Sequence, residues 1–243
     1  MLTLRKAGDR GHFDHGWLDT FHTFSFAAYQ NAQWTRFRSL RVLNEDRVSP
    51  DHGFGTHGHS EMEIVTVVVS GTLAHKDSAG GRGELPRGGV QAMSAGVGLT
   101  HSEFNPSKDE PVHFVQIWLL PDEPGGRPTY GDGRVEDADR TGLLLPLVTG
   151  TGQSARLAGS GPGLKIRADA AVLSGLLPAG TEVVHEFDAH NGEPRHGWVQ
   201  VISGTVTVNG AHLTAGDGVG LTDEAVMHLT ATEDAEVLAF DLA

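Results

Sequence analysis

The sequence predicts an all-β protein built as two β-barrels in tandem, and three observations carry that prediction. With 33 glycines, 11 prolines and only 7% aromatic residues, the composition favours short, turn-rich strands over helix bundles. The pentapeptide Gly96-Val97-Gly98-Leu99-Thr100 returns residue for residue as Gly218-Val219-Gly220-Leu221-Thr222, and Val68-Val69-Ser70-Gly71-Thr72 is echoed by Val201-Ile202-Ser203-Gly204-Thr205. Such an internal repeat marks one folding unit used twice. Between the copies, Pro121, Pro124, Gly125, Gly126 and Pro128 break any regular element. The expected division is a first barrel over residues 1–125, a linker over 126–142 and a second barrel over 143–243.

In chain order, Phe24 and Phe26 alternate like a strand with one buried face. This aromatic segment is expected to cover the first barrel and to supply an apolar wall. His12, His15 and His22 lack partners at a matching spacing and are expected to be structural or surface groups. Residues 40–43 read as a short strand, and 46–56 as a loop that delivers the chain to His57. The apolar run 64–69 is a buried strand, Gly71 ends it, and 71–78 form the next turn and strand. Ala79-Gly80-Gly81-Arg82-Gly83 is a hairpin tip. Residues 88–93 lead into a second histidine motif, and 112–120 are expected to be the last strand of the first barrel.

The net charge of −13 argues against direct binding to nucleic acid or anionic membrane, because phosphate contacts need clustered Lys and Arg. The chain has no cysteine, which removes disulfides, thiolate ligands and thiol redox chemistry. No apolar core of signal-peptide length follows Met1-Leu2-Thr3-Leu4-Arg5-Lys6, and the apolar runs are far too short to span a bilayer. A soluble, cytoplasmic monomer is expected.

The chemistry centres on His57-Gly58-His59 and on His101-Ser102-Glu103. Side chains two apart on a strand share a face. If these strands face each other across a small barrel, His57, His59, His101 and Glu103 converge. Three neutral imidazoles and one carboxylate suit a divalent first-row metal that keeps positions open for a ligand. A solvated or core role is the plainer reading of any one His-x-His pair in a chain with 14 histidines. The context weighs against it: Glu63 follows His59 by four and Gly71 closes the strand, while Gly96 and Gly98 precede His101 and Asn105 follows it. This pattern resembles the two cupin motifs, His-x-His-xxx-Glu…Gly and Gly…His-xxx-Asn.

Over most of its length the chain is similar to the pirin family of the bacterial quercetinase-like kind. The segments that carry the resemblance include Arg10-Gly11-His12, Gly16-Trp17-Leu18-Asp19, His22-Thr23-Phe24-Ser25-Phe26, Phe54-Gly55-Thr56-His57, Met62-Glu63-Ile64, Ser94-Ala95-Gly96 and His101-Ser102-Glu103. The resemblance implies a bicupin, two jelly-roll cupin domains with one metal held only in the N-terminal barrel. It implies ligation by His57, His59, His101 and Glu103. It also implies quercetin 2,3-dioxygenase activity for some members and regulatory protein-partner binding for others. In germin-like cupins the carboxylate ligand is the motif glutamate, here Glu63. Unbroken strand alternation from 57 to 63 would put Glu61 and Glu63 on the face of His57 and His59, so spacing alone leaves the choice open. The family pattern favours Glu103.

The metal expected is Fe(II), with Ni, Mn, Co, Cu or Zn as alternatives, and the expected substrates are a flavonol and O2. The metal would lower the pKa of the flavonol 3-hydroxyl, Glu103 would take its proton, and ring opening would release carbon monoxide. The aligned repeats place His190 opposite His57, Gly192 opposite His59, Asp223 opposite His101 and Ala225 opposite Glu103. A complete second site is therefore not expected.

Overall fold

A computed structural model describes residues 1–157, 161–187 and 195–243. The chain forms two compact units. One comprises residues 11–135 with 164–168; the other comprises 1–10, 136–163 and 169–243. No helix among the described residues is long and apolar enough to cross a membrane.

In the first unit a seven-stranded antiparallel sheet runs in the order Thr129–Arg134, Gly89–Ser94, Glu63–Ser70, Val112–Leu119, Leu40–Val48, Leu18–His22, Gly11–Asp14. A four-stranded sheet, ordered Gly53–His59, Leu99–Phe104, Thr72–Asp77, Arg82–Pro86, accompanies it. Its interior is layered. Leu18, Val48, Val68, Leu73, Leu85 and Phe114 pack one end; Ile64, Met93, Ala95 and Leu99 pack the other. Alternation along Glu63–Ser70 turns Ile64, Thr66 and Val68 to one face, so a polar waist at Thr66 separates the two apolar layers.

The second unit repeats this plan. Its larger sheet runs Leu2–Arg5, Gly218–Leu221, His196–Ser203, Ala235–Leu242, Ala170–Leu177, Leu145–Thr149. Its smaller sheet runs Glu182–Glu186, Val226–Ala231, Thr205–Val208, Ala211–Thr214. Gly71 and Gly204 hold the same place in the two units, with φ of 75° and 76°. A Cβ on either would press against a backbone oxygen, that of Pro111 or of Asp234. Only glycine meets both demands.

Several boundaries differ from those read in the sequence. Residues 126–142 hold the strand Thr129–Arg134, paired with Gly89–Ser94, and the 3-10 turn Asp137–Arg140, so Val112–Leu119 is an inner strand and not the last. Met1–Arg10 belongs with the second unit, where Leu2–Arg5 pairs with Gly218–Leu221. Leu40–Val48 is one nine-residue strand. Its buried Asn44, Glu45 and Asp46 hid that extent, because inward polar residues erase the apolar alternation. Phe24 and Phe26 lie beyond the strand Leu18–His22, in a turn where Ala27 has φ 47°.

The repeat alignment also shifts. Gly71 lies 14 positions after His57, whereas Gly204 lies 19 after His185, so the connection is longer in the second unit. His101 pairs across from His57, and Met227 pairs across from His185. His185 and Phe187, not His190 and Gly192, therefore stand where His57 and His59 do; His190 and Gly192 lie outside the described residues. Glu103 pairs with His75 and Leu229 with Val208, which makes Met227 and Leu229 the counterparts of His101 and Glu103. Gly218–Leu221 corresponds to strand Gly89–Ser94, so the identical pentapeptides occupy different places.

In the second unit Asp241 is wholly buried and accepts hydrogen bonds from Arg195 Nε and, at 2.7 Å, His185 Nε2. Burial alone would raise its pKa, but the His185 bond and the Arg195 charge outweigh this and hold it below the usual 3.8. Arg195 also pairs with Asp169 at 3.0 Å, so Asp241→Asn removes one of the two carboxylates of a buried guanidinium and should cost up to roughly 3 kcal/mol in denaturant unfolding. Because the folded-state pKa is depressed, this stabilisation is complete above the unfolded value. It is lost as pH falls through the folded one. Acid unfolding of the wild type, absent as a separate phase in Asp241→Asn, checks the sign.

Candidate metal centre

Three of the four predicted ligands meet. Strands Gly53–His59 and Leu99–Phe104 pair antiparallel, with His101 opposite His57 and Leu99 opposite His59. Directly opposed side chains lie within reach of one another, and the pleat puts His59 on the face of His57. The Nε2 atoms of His59 and His101 are 2.9 Å apart, and those of His101 and His57 3.0 Å. Two ligands at right angles on a metal with bonds of about 2.1 Å would stand roughly 3.0 Å apart, so this spacing fits a coordination face. His57 Nδ1 lies 2.8 Å from the Gly55 carbonyl. Donation there puts the proton on Nδ1 and leaves the Nε2 lone pair for the cluster. Burial, then the neighbouring His57, pushes His59 down to about 4; burial, then His57 and His59, pushes His101 down to about 3. Both rings are neutral at physiological pH, as ligation requires.

Glu103 sits deeper on the same strand face. It forms a second group, within 4.8 Å, with His101 and His75, rather than joining His57 and His59 in one. Its oxygens accept hydrogen bonds from Gln91 Nε2 and Gln116 Nε2, each at 2.8 Å. Burial, then the charge of Asp46, raises its pKa to about 7, against the opposing pull of those hydrogen bonds.

The rival glutamates point elsewhere. Glu61 has φ 52°, which breaks the alternation between His59 and Glu63. Its carboxylate accepts from Gly125 N at 2.7 Å. Glu63 accepts from Ser94 Oγ and, at 2.8 Å, from Arg167 N. Among the described residues, neither belongs to a ligand group with the histidines.

A partly open cavity of about 90 Å³ adjoins the histidines. Phe26, Phe54 and Trp118 form apolar walls, and Trp118 meets His59 edge-on at 4.8 Å. Thr20, His22, Asn44, Asp46 and Gln116 line the polar side, with Glu103. The expected aromatic wall is thus present in Phe26. His22, expected to be structural or at the surface, instead lines the cavity. Burial, then the charge of His15, pushes it down to about 4. Sequence reasoning also missed His75, buried against His101 and hydrogen-bonded to Asp77 at 3.1 Å. Its position four after Gly71 and two before Asp77 was the available signal.

Residues 3–119 match the family model for Pirin, and residues 157–242 that for the Quercetinase C-terminal cupin domain. The chain is 41% identical over 242 residues to quercetin 2,3-dioxygenase of Escherichia coli strain K12, covering 100% of this chain and 99% of that protein. It belongs to the pirin family. A Pirin-like protein of Caulobacter vibrioides is 40% identical over 240 residues, 98% of this chain and 99% of the relative. The bacterial pirin YhhW from Escherichia coli, solved in complex with nickel(II), matches with a TM-score of 0.89 and 40% identity, covering 100% of this chain and 99% of that one. The two units are the paired cupin domains of a pirin.

If Glu103 completes the ligand set, Glu103→Ala should lose metal on elemental analysis of the reconstituted protein. Glu63→Gln should keep it, with any effect limited to the roughly 10–100-fold usual for groups behind the ligands. Metal content is measured before turnover, so that loss of the ion is not mistaken for loss of a base. The reverse result assigns the carboxylate to Glu63.

Proposed function

We propose that this pirin is a metal-dependent quercetin 2,3-dioxygenase, with one divalent ion on His57, His59, His101 and Glu103. The observation that carries the reading is the convergence of three imidazole Nε2 atoms beside a cavity that has an apolar wall and buried carboxyls. The E. coli relative's name and the nickel(II) in the YhhW structure support it. Fe(II) is the ion proposed, with nickel next. When bound, the ion supplies the Lewis acidity that favours the ionised flavonol hydroxyl, and a redox partner for O2.

The protein's own groups do the rest. Glu103, which burial pushes up to about 7 in the metal-free site, would be favoured in its ionised form by the ion and could then accept the flavonol proton. Gln91 and Gln116 each hold one of its oxygens, which fixes the direction of transfer. Phe26, Phe54 and Trp118 give the flat substrate an apolar slot and limit access of bulk water.

A second reading, a non-enzymatic metal-dependent interaction module, draws on the cavity size. At about 90 Å³ the space is below the roughly 300–1,000 Å³ of whole small-molecule pockets. A flavonol would enter by one edge, and Phe26, on its turn, would be the wall displaced by a deeper approach.

Anaerobic loading of metal-free protein with each metal singly, then admission of air and quercetin, separates the two. The enzyme reading expects about one ion bound per chain and carbon monoxide released in step with quercetin lost. Metal binding without carbon monoxide from any ion would leave the interaction module as the function.

A further inference from the structure

The polar waist of the first barrel is one cross-strand rung. His22 pairs with Asn44, Asn44 with Gln116, Gln116 with Thr66, and Thr66 with Gln91, across five neighbouring strands. The corresponding rung of the second barrel passes through Leu173, Ala239, Val199 and Val219, which pair in the same way. All four lie in its apolar core. The same scaffold, within the same chain, therefore closes with hydrocarbon at this level. The fold does not require polar groups there.

Part of the rung is accounted for by Glu103. Gln91 and Gln116 hold its carboxyl, and Thr66 donates to Gln116 Oε1 at 2.8 Å. His22 and Asn44 are different. They line the cavity at 5% and 3% exposure, yet His22 Nδ1 and Asn44 Oδ1 have no hydrogen-bond partner. An unsatisfied buried polar atom destabilises the fold, so an unfilled pair of this kind works against folding. Nor is His22 loosely placed. Its ring meets Phe26 edge-on at 5.1 Å and packs against Phe13 at 5.4 Å. Two polar side chains, adjacent on neighbouring strands and held by packing, thus line the space beside the histidine cluster.

We propose that His22 and Asn44 form a second polar subsite, which hydrogen-bonds a ring hydroxyl of a polyhydroxylated planar aromatic whose other oxygens face the histidine cluster. This deepens the flavonol reading and rests on it. The Asn44 amide and the His22 imidazole, whose tautomer is free to adapt, each offer that hydroxyl a hydrogen bond. The subsite selects hydroxylated rings over bare ones, because a buried hydrogen-bonding group left empty penalises the analogue that lacks the hydroxyl.

The test compares quercetin with 3-hydroxyflavone, which keeps the 3-hydroxyl and 4-oxo groups but has no other hydroxyl. Dissociation constants are read from Trp118 and ligand fluorescence in anaerobic protein loaded with nickel. The variants are His22→Phe, which keeps the ring stacking, and Asn44→Leu, with Asn44→Ser in reserve if the leucine does not fold. Quercetin affinity should fall roughly tenfold or more in each, about the worth of one buried hydrogen bond, while 3-hydroxyflavone affinity stays within about twofold. The variants should melt no lower than wild type, since each removes an unsatisfied atom; a purely structural rung would instead lose stability and leave the ligand ratio alone. An unchanged quercetin to 3-hydroxyflavone ratio in folded variants overturns the subsite and leaves the flavonol reading standing. Wild-type protein that binds neither compound overturns both.

Discussion

The first barrel depends on one antiparallel pairing, that of Gly53–His59 with Leu99–Phe104. Because His101 stands directly across from His57, the pleat alone delivers His59 and Glu103 to the same interior. A slip of one residue would turn His101 and Glu103 outward and bring Thr100 and Ser102 in. The register has independent guards. Leu99 packs with Ile64, Met93 and Ala95 at one end of the strand, and Asn105 beyond the other end donates from Nδ2 to the carbonyls of Val48 and Glu110. The bulge between His101 and Glu103 sits between those anchors and sets Glu103 deeper than the imidazoles.

The two barrels share a scaffold but differ in what fills it. His101 and Glu103 correspond to Met227 and Leu229, and the polar rung to Leu173, Ala239, Val199 and Val219. In the second barrel one continuous apolar cluster spans the interior. Its buried charges are paired, Asp241 with both Arg195 and His185 and Arg140 with Glu236. In the first barrel the apolar residues retreat to two end layers and leave the middle to groups that need a partner. Polar interiors of this kind trade folding energy for a site.

The sequence disclosed what depends on local spacing. His57-Gly58-His59 and His101-Ser102-Glu103 could be read because strand alternation is a rule of two residues. Gly71 and Gly204 could be aligned because a positive φ against a neighbouring carbonyl admits only glycine. What depends on register between distant strands stayed hidden. Asp46 read as the start of a loop and Asn44 fell past the end of the short strand, although both lie within Leu40–Val48 and line the cavity. His22 lacked a sequence partner because its partner, Asn44, lies on the next strand. The identical pentapeptides misled for a related reason. Gly218 lies only 14 positions after Gly204, whereas Gly96 lies 25 after Gly71, so the shorter connection in the second unit puts Gly218–Leu221 in a sheet strand while Gly96 and Gly98 lie in a turn.

The electrostatics of the first interior give the final reason to read it as a cation site. His57 Nδ1 is committed to the Gly55 carbonyl, so its Nε2 faces the cluster as an acceptor. Burial keeps His59 and His101 neutral, so one proton on either ring can bridge only one of the close nitrogen pairs. Below them burial raises both Glu103 and Asp46 to about 7, with the charge of Asp46 adding to the first and those of Glu45 and Asp19 to the second. Acceptors therefore outnumber protons at the centre of the barrel, while the donors of Gln91, Gln116 and Thr20 are spent on the carboxylates. Among the described residues, no lysine or arginine lines the cavity. A divalent cation answers that imbalance with a single particle: it takes the imidazole lone pairs and favours the ionised form of Glu103.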